Sequence, residues 1–466
     1  MREMRLSLLL PNIFDYNSSV LATNAPARVR KHWADVGNAL ADLALFWDVR
    51  DKILVSPTPI KKPFIKFVEE VLGFGKIINL SPDQISDYLI ENLINDAALM
   101  QNIASMNIPD IKLMAWGATP SMMSLLDKFA AFGISIDSSE LPSKENIQNV
   151  AFLDSKSGFR SLYKDLSQIH KSIMMPQGFV CDSITEVLSY IRYFFNQNKG
   201  CYVKADHGVN GIGLIQMMPE WSKHSDKVIA QYIQNQMADS GVLIQHEMIV
   251  VEEIIRSILS SESRHKTIGS LFMNAFINED GQIDILGGGN ELRDKMNHYI
   301  GAEMGKDSLG NAYFKSIESI MESICLFVYG FGYHGHLGVD FVLNEAKSPI
   351  VLELNARRSS ESSVYDIAAK LFGKDWKSRY SALVRLPRYV TLSEAIDIEK
   401  ILETVNNLNQ SIANEDTIVV PLCLSWMELA EPALGYVIFS SNIKNMDIVE
   451  RRLFEKLGSF GVYARY

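Results

Sequence analysis

The segment 338–357 constrains the fold more than any other stretch of the sequence, because it reads as a β-hairpin with two unlike faces. Two β-prone runs flank a polar segment whose proline, near its end, is typical of a turn rather than of a strand interior. With the turn centred between Ala346 and Lys347, and with side chains alternating between faces, one face of the hairpin is entirely apolar. That face pairs Val339 with Leu354, Phe341 with Leu352 and Leu343 with Ile350. It belongs in a hydrophobic core.

The other face of the hairpin carries oxygen ligands. In the same register Asp340 lies opposite Glu353, and Gly338 leaves room for Asn355. Opposed like charges destabilise a hairpin unless a cation lies between them. Two carboxylates and an amide oxygen suit Mg²⁺, which takes one or two protein carboxylates and completes its shell with phosphate oxygens and water. The pattern therefore predicts a metal site, and the alternative interpretation is a solvated hairpin face with two unrelated acids.

Length and composition limit the classes of protein that this chain can be. At 466 residues it is too long for one compact core, and two to three domains are expected. With 47% hydrophobic and 21% charged residues it has the composition of an ordinary globular protein. A formal charge of −10 leaves no basic surplus to release counterions, which argues against a protein that binds nucleic acid or an anionic membrane.

Targeting and redox signals favour a cytoplasmic location. The first apolar run ends at Pro11, too soon for a signal peptide, and reads as a buried strand. No segment approaches eighteen uninterrupted apolar residues, so a transmembrane span is not expected. The four cysteines are far apart and form no CxxC or Cys/His metal spacing, which indicates packed, reduced thiols.

Residues 1–145 read as an α/β domain. Strand-like runs alternate with helical stretches, a pattern that favours a parallel sheet with crossover helices. The strand-like runs are Arg5–Leu10, Asp51–Val55 and Ile111–Trp116, and the main helical stretches are Arg28–Phe46, Lys62–Leu72 and Ser121–Phe132. No phosphate-binding fingerprint occurs here, so the domain is expected to shape a substrate site or to serve as scaffold.

A glycine-rich connection lies at 200–216, between two short strand-like runs. Gly208, Gly211 and Gly213 free the backbone to approach phosphate oxygens and present N–H donors, while Lys204 adds a positive charge at the base. Walker A and Rossmann glycines join a strand to a helix. Here they join strand to strand, as a flap that closes over a nucleotide. The alternative is a plain glycine turn with a solvated lysine.

Three further stretches carry candidate ligand-binding residues. The β-rich run at 249–255 ends in Glu252, Glu253, Ile254 and Ile255, where adenine would lie between apolar side chains and be read by backbone groups; a buried strand with an acidic end is the alternative. The glycine run 287–295 reads as a flexible loop whose Arg293 or Lys295 reaches a phosphate, or whose cations are merely exposed. Beyond the hairpin, Arg357 shares the face of Glu353 and Asn355, whereas Arg358 points away. Arg357 is the better candidate for a substrate carboxylate or transferring phosphoryl group.

The remainder, 387–466, shows a helix, two strands and a helix with no catalytic constellation. It is interpreted as a small α+β cap or a dimerisation element, so a homodimer is among the expected assemblies.

Taken together, these motifs resemble the ATP-grasp superfamily. Lys156 ahead of a helix, Lys204 before a strand-to-strand glycine flap, an acidic hinge at Glu252, and Asp340 followed after twelve residues by Glu353-Leu-Asn355 occur in the order of that family. The resemblance covers roughly residues 150–385 as an ATP-grasp domain, preceded by a domain similar to the pre-ATP-grasp domain of its members. It looks closest to the bacterial peptide ligases that join an amino acid or unusual acid to a peptide.

The resemblance implies a role for each matching residue. Lys156, Lys204 and the flap glycines would contact the phosphates of ATP, residues 252–255 would hold adenine, and Asp340, Glu353 and Asn355 would hold two Mg²⁺ ions. The D-alanine:D-alanine ligases have an arginine at the position of Gly338, so the cation that steadies the reaction centre must here be Arg357, Arg293 or Lys295.

The implied activity is an ATP-dependent carboxylate–amine ligase that forms an amide through an acyl phosphate and releases ADP and phosphate. Its partners would be a small carboxylic acid and an amine such as an amino acid or short peptide. Catalysis of this kind is mostly positioning and charge stabilisation, with water excluded by the flap. The alternatives within the same fold are a small-molecule kinase or a carboxylate–thiol ligase, and a third is an ATP-binding protein without turnover.

Overall fold

The computed structural model describes residues 6–18, 25–207, 213–239, 241, 248–257, 270–294, 299–308 and 313–465. Within these ranges the strands form three β-sheets. The strands are β1 Ser7–Leu10, β2 Lys52–Val55, β3 Ile77–Leu80, β4 Ile111–Ala115, β5 Ile136–Asp137, β6 Gly178–Cys181, β7 Cys201–Ala205, β8 Leu214–Met217, β9 Ile249–Glu253, β10 Leu271–Ile277, β11 Ile283–Arg293, β12 Tyr299–Gly305, β13 Gly335–Leu343, β14 Pro349–Asn355, β15 Ser381–Leu392, β16 Thr417–Cys423, β17 Ala433–Ser440 and β18 Val462–Ala464.

Helices connect and cover these strands. The α-helices are α1 Ile13–Asn17, α2 Ala27–Ala39, α3 Lys62–Lys66, α4 Leu89–Asn95, α5 Ala97–Ser105, α6 Pro120–Ala131, α7 Ile147–Leu153, α8 Lys156–Ile169, α9 Ile184–Asn196, α10 Asp226–Asp239, α11 Phe314–Gly330, α12 Ser360–Phe372, α13 Ile398–Ser411 and α14 Ile443–Gly458. A 3₁₀ helix at Leu40–Phe46 continues α2. Among the described residues no helix is long and apolar enough to cross a membrane.

The first sheet is parallel, in the order β3-β2-β1-β4-β5. The alternation of strand and helix patterns predicted this arrangement, and the prediction is confirmed. Strands β1 and β2 are wholly buried, which explains why they stand out in the sequence as apolar runs. Strands β3 and β5 were not predicted, because β3 is partly exposed and β5 has only two residues.

The largest sheet is antiparallel and runs β14-β13-β10-β11-β12-β15-β17-β16, with β18 added to β15. The predicted flexible loop at 287–295 is wrong, because 287–293 continue strand β11. Its glycines allow neighbouring strands to approach closely. A Cβ added at Gly288 would lie 2.6 Å from the Phe272 carbonyl oxygen, and one added at Gly289 would lie 2.2 Å from the Glu303 carbonyl oxygen. Glycine in a strand can therefore mark close backbone approach rather than flexibility.

The C-terminal residues belong to the same large sheet. Strand β15 covers 381–392 and so runs across the predicted boundary between 385 and 387. Strands β16 and β17 extend the sheet from there, and a continuous buried apolar cluster joins it to the first sheet. The first helical pattern of this region, at 392–408 in the sequence, predicts a helix that begins at Leu392, but the helix begins at Ile398 because Leu392 still lies in β15.

A smaller antiparallel sheet, β6-β9-β7-β8, forms a separate lobe with its own hydrophobic core. In the sequence, apolar residues between 183 and 197 recur with the helical period and predict a helix with one apolar face. The prediction is confirmed, because helix α9 packs on this sheet through Val187, Ile191, Phe194 and Phe195. The helix begins after Ser183, whose side chain accepts a hydrogen bond from the Glu186 N–H group. This small lobe carries Lys204 and the acidic hinge.

The hairpin β13–β14 has the predicted register at its functional end. Gly338 pairs with Asn355, Val339 with Leu354 and Asp340 with Glu353. Nearer the turn the prediction is wrong by one residue: Phe341 pairs with Val351 rather than Leu352, and Leu343 with Pro349 rather than Ile350. A β-bulge accounts for the slip, because Leu352 lies between the Asp340–Glu353 and Phe341–Val351 pairs without a partner on β13. Next to it, the Val351 N–H group donates to the Met174 carbonyl at 2.8 Å.

Candidate active site

Three oxygen-bearing side chains meet at the end of the hairpin. Opposed pairing places Asp340 and Glu353 on the same face, close enough for their carboxyl groups to hydrogen-bond each other. Asn355 follows on that face, two residues beyond Glu353. Lys156 Nζ lies 3.2 Å from Glu353 Oε2, and Arg357 Nη2 donates to Asn355 Oδ1 at 2.8 Å. The residues predicted as metal ligands are therefore brought together with two cations beside them.

A third acid, which the sequence analysis did not identify, lies beside this pair. Glu291 on β11 accepts hydrogen bonds from Ser270 Oγ at 2.6 Å and from Arg293 Nη2 at 2.5 Å. Glu291, Arg293, Asp340 and Glu353 line one cavity of about 150 Å³. Glu291 was not predicted because 287–295 was interpreted as a loop. The approach of Glu291 to Asp340 depends on the pairing of strands that are far apart in the chain.

Burial and charge set the ionisation of the acid pair. Burial raises the pKa of Asp340 well above its usual range, and the neighbouring Glu291 and Glu353 carboxylates raise it further. Burial also acts to raise the pKa of Glu353, but Lys156 and Lys204 outweigh it and hold that pKa below its usual range. The opposite pKa shifts of Asp340 and Glu353 are those expected of two carboxylates that share one buried site with lysines beside only one of them.

The donor set fits Mg²⁺. In the part of the chain that the structure describes, no three His, Cys, Asp or Glu side chains form a metal-binding group by themselves. Two carboxylates and one amide oxygen are the set expected for an ion that completes its shell with phosphate and water. Asn355 Oδ1 uses one lone pair for Arg357 and keeps a second for a ligand.

The start of helix α8 is tied to the base of the glycine flap. Ser155 caps the helix by accepting the Gly158 N–H group at 2.9 Å, which leaves Lys156 at the first helical position. Asp206, just before the flap glycines, accepts the Ser157 N–H group at 2.7 Å and the Ser157 hydroxyl at 2.9 Å. Lys156 donates its own N–H group to the Asp206 carbonyl at 3.0 Å. The position of Lys156 therefore depends on the base of the flap.

Lys204 belongs to a buried charge cluster in the small lobe. The Glu252 carboxylate forms ion pairs with Lys204 and with Arg160, the latter at 2.5 Å, and all three side chains are less than a tenth exposed. Gly178 makes room for this arrangement, since a Cβ there would lie 2.7 Å from the Arg160 guanidinium carbon. Arg160 was missed by the sequence analysis, although its spacing of four residues from Lys156 on one helix places both cations on the same face.

The structure describes only some of the other residues of the predicted nucleotide site. The Glu253 and Ile254 N–H groups bond the Gln177 and Gly200 carbonyls at 2.8 and 3.2 Å, and Ile254 and Ile255 are half-buried. Gly213 adopts a φ of +70°, which favours glycine. Gly208, Gly211 and Lys295, named as candidates from the sequence, lie outside the described residues. Adenine binding by 252–255 stays a prediction.

Arg357 and Arg358 lie on opposite sides of the chain, as the strand alternation predicted. Arg357 lines the cavity with the acids, and its Nε lies 3.9 Å from Asp154 Oδ2. Arg358 is 2% exposed, donates to Glu140 at 2.5 Å, and stacks its guanidinium 4.8 Å from the Trp47 ring. Arg358 therefore joins the domains, and Arg357 is available to the site.

A second cavity, of about 480 Å³, adjoins the site at Asp154. It lies at the carboxyl edge of the parallel sheet, where Tyr16, Ala118 and Thr119 follow β1 and β4. Asp15, Glu91 and Asp154 line it, together with His207, and no lysine or arginine of the described chain does. Its electrostatic character is opposite to that of the arginine-lined part of the first cavity.

The start of helix α12 also contributes to the first cavity. Glu361 accepts hydrogen bonds from the Tyr299 hydroxyl at 2.5 Å and from Ser360 Oγ at 2.8 Å, and all three residues line the cavity. Burial raises the pKa of Tyr299 well above its usual range, and the Glu361 carboxylate adds to the shift. No short motif in the sequence marks this group.

Comparison with known proteins identifies the fold. No family model and no curated protein sequence matches the chain significantly. Solved structures do match along almost its whole length. An L-amino acid ligase from Bacillus licheniformis has 12% identity and a TM-score of 0.51, with 100% of this chain and 99% of that chain covered.

Two further structures are similar. The biotin carboxylase domain of Hydrogenobacter thermophilus 2-oxoglutarate carboxylase, bound to MgADP, ADP and bicarbonate, has 10% identity, 99% and 92% coverage and a TM-score of 0.56. An N5-carboxyaminoimidazole synthase from Aspergillus clavatus, bound to ADP and an aminoimidazole ribonucleotide, has 11% identity, 98% and 99% coverage and a TM-score of 0.54. The chain has the same fold as these structures, and the predicted multidomain ATP-grasp architecture is confirmed at the level of fold.

Proposed function

We propose that this protein is an ATP-dependent carboxylate–amine ligase that forms an amide through an acyl phosphate and releases ADP and phosphate. The observation that carries the proposal is the joint placement of Asp340, Glu353 and Asn355 with Arg293 and Arg357 around one cavity. Such a reaction needs acids that bind the metal ion on the phosphates of ATP and arginines that bind the substrate carboxylate, and the cavity has both. The fold shared with a carboxylase domain and a synthase that both bind ADP supports the same conclusion.

Separate sets of residues are proposed to bind Mg²⁺, the phosphates and the adenine of ATP. Asp340, Glu353 and Asn355 would hold Mg²⁺, which supplies charge neutralisation for the triphosphate when bound. Lys156 and Lys204 reach the hairpin from different elements, and both act on the ionisation of Glu353. We assign both lysines and Gly208, Gly211 and Gly213 of the flap to the phosphates, and Glu252, Glu253, Ile254 and Ile255 to adenine.

The arginines hold the substrate carboxylate for attack on the γ-phosphorus of ATP. The attack forms an acyl–oxygen–phosphorus bond and breaks the bond to ADP. The amine substrate then attacks the acyl carbon, and phosphate leaves with the carboxylate oxygen that joined it. Arg357 and Arg293 steady the negative charge that develops at this centre, and burial strengthens their effect. The small lobe excludes water that would hydrolyse the acyl phosphate.

The larger cavity suits the amine. Its acids favour a group that carries positive charge on the way to the site, and most of its surface is apolar. It shares Asp154 with the Arg357 side of the reaction centre, so an amine bound there is adjacent to the acyl group. An amino acid or short peptide is the substrate class that fits, and on that basis we propose a peptide ligase. The similarity to an L-amino acid ligase agrees with this choice.

The first experiment is product analysis with purified protein, Mg²⁺, ATP, pooled amino acids and dipeptides, and hydroxylamine to trap an acyl phosphate. We expect ADP together with a hydroxamate. Glu353→Gln should lose both products, whereas Glu345→Gln, an exposed acid in the turn of the same hairpin, should retain them. ADP without hydroxamate would favour a kinase instead, and AMP would refute the acyl-phosphate route.

Two further expectations concern the cellular context. A cytoplasmic location remains a prediction, which fractionation of cells that express the natural protein tests. Dimerisation also remains a prediction, and analytical ultracentrifugation tests it.

A further inference from the structure

Besides the acids, the site cavity has apolar lining residues, and this apolar part is called the inner end. It comprises Ile13 and Leu43 from the N-terminal domain, Leu386 from β15 and Trp426 from the connection between β16 and β17. In the parallel sheet, β2 and β3 are added on one side of β1, and β4 and β5 on the other side, so the strand order reverses between β1 and β4. Ligands bind at such a switch point in open α/β sheets. The residues that follow these two strands reach the inner end.

Two buried donors line this cavity without a hydrogen-bond partner among the described residues. They are Trp116 Nε1 and Arg357 Nε. Trp116 is 6% exposed, directly follows β4, and accepts the Arg358 N–H group at its carbonyl, so it lies next to Arg357. Buried N–H groups almost always have an acceptor, and each exception calls for an explanation. The stacked neighbour Trp47 shows the usual situation, since its indole donates to Ser363 Oγ at 3.1 Å.

We propose that the inner end binds the acid substrate, with Trp116 Nε1 and Arg357 Nε donating to its carboxylate oxygens. This inference rests on the proposed ligase function and adds a residue and a substrate class to it. Indole and guanidinium groups are donors only, so the ligand must supply acceptors, and the charge of Arg357 selects an anion. The apolar walls select a hydrophobic side chain behind that carboxylate.

The sizes of the two cavities favour a small acid and a larger amine. The site cavity, at about 150 Å³, has about a third of the volume of the second cavity, at about 480 Å³. Because the proposed metal ligands line the same cavity, the space left for the acid suits one amino-acid-sized acid better than a dipeptide. The second cavity, at about 480 Å³, has room for a peptide amine. The ligase therefore adds one small acid to the amino group of a larger partner, rather than activating the carboxyl group of a peptide.

The test measures hydroxamate formation with single acids: glycine, alanine, valine, leucine, the matching 2-hydroxy acids, and dipeptides built from the same amino acids. We expect turnover with single acids that have an apolar side chain and none with dipeptides. Trp116→Phe should raise the KM for the acid about tenfold, the effect of losing one hydrogen bond to a charged group, and should leave the KM for ATP unchanged. Trp47→Phe is the matched control and should leave both KM values unchanged.

A second variant keeps the test independent of the folding of Trp116→Phe. Leu40 is half-buried at the cavity wall, so Leu40→Phe should lower kcat/KM for leucine about tenfold relative to alanine. Turnover of dipeptide acids as efficient as that of single acids, or an unchanged acid KM in Trp116→Phe together with an unchanged size preference in Leu40→Phe, would overturn the inference alone. A wild-type protein that yields no hydroxamate from any acid would overturn the proposed function as well.

Discussion

The buried charge cluster of the small lobe gives a sharp quantitative prediction. Glu252 neutralises two cations, Lys204 and Arg160, that are both less than a tenth exposed. Glu252→Gln keeps the shape of the side chain and removes the carboxylate that forms ion pairs with both buried cations. Breaking a buried ion pair by removing one partner costs about 3–5 kcal/mol. Because the lobe has its own hydrophobic core, we expect the loss to appear as local opening of this lobe.

Hydrogen exchange followed by mass spectrometry measures that opening. A loss of about 3–5 kcal/mol accelerates exchange of amides protected by lobe opening by roughly 100- to 4,000-fold. Peptides from β7 and β9 should show the acceleration, and peptides from β1 and β2 should not. Glu253→Gln is the matched control: its pair with Lys199 spans 2.8 Å, but the lysine is 47% exposed. A surface pair contributes about 0–1 kcal/mol, so exchange should change less than about fivefold.

The same variant also tests the role of Lys204. In Glu252→Gln a bound triphosphate would replace the negative charge that Lys204 has lost, so it stabilises the variant more than the wild type. MgATP should therefore slow hydrogen exchange in the small lobe by a larger factor in Glu252→Gln than in the wild type. Exchange rates that differ from the wild type by less than fivefold would refute the electrostatic reasoning. Equal protection by MgATP in both proteins would refute the assignment of Lys204 to the nucleotide.

Three further predictions follow from other parts of the structure. Asp206→Ala removes two hydrogen bonds to Ser157 and should raise the KM for ATP about tenfold or more in steady-state assays, with little change in the KM for the acid. Burial raises the pKa of Asp366 from 3.8 to about 7, so the folded state holds more protons between these values and stability falls as pH rises through them. Asp366→Asn should therefore exceed the wild type in free energy of unfolding, measured with urea, by up to about 4 kcal/mol at pH 8, and the two proteins should converge near pH 4. Removal of divalent cations with EDTA should abolish ADP formation, and Asp340→Asn should need at least about tenfold more Mg²⁺ to restore it.

Local periodicity predicted much of this molecule. The pairing of Asp340 with Glu353 followed from the alternation of side chains along two strands, and the apolar face of α9 followed from the helical period. Both patterns involve residues near one another in the chain. The separation of Arg357 from Arg358 has the same origin, because it depends only on strand alternation.

The failures arise where distant segments determine the outcome. Glu291 reaches Asp340 only because β10 pairs with both β11 and β13, and no local signal encodes that pairing. The bulge at Leu352 adjoins the hydrogen bond from the Val351 N–H group to the Met174 carbonyl, a contact between segments far apart in the chain. The orphaned indole of Trp116 is visible only once the chain has folded around it, since a tryptophan at the end of a strand is otherwise an ordinary core residue.

The most direct test of the central claim is the fate of the carboxylate oxygen. An acid found by hydroxamate trapping is labelled with ¹⁸O in its carboxyl group and turned over with ATP and an amine, and the phosphate is analysed by mass spectrometry. Attack of the carboxylate on the γ-phosphorus transfers one labelled oxygen to phosphate in each turnover, and we expect that result. Unlabelled phosphate, or label in AMP, would contradict the acyl-phosphate mechanism.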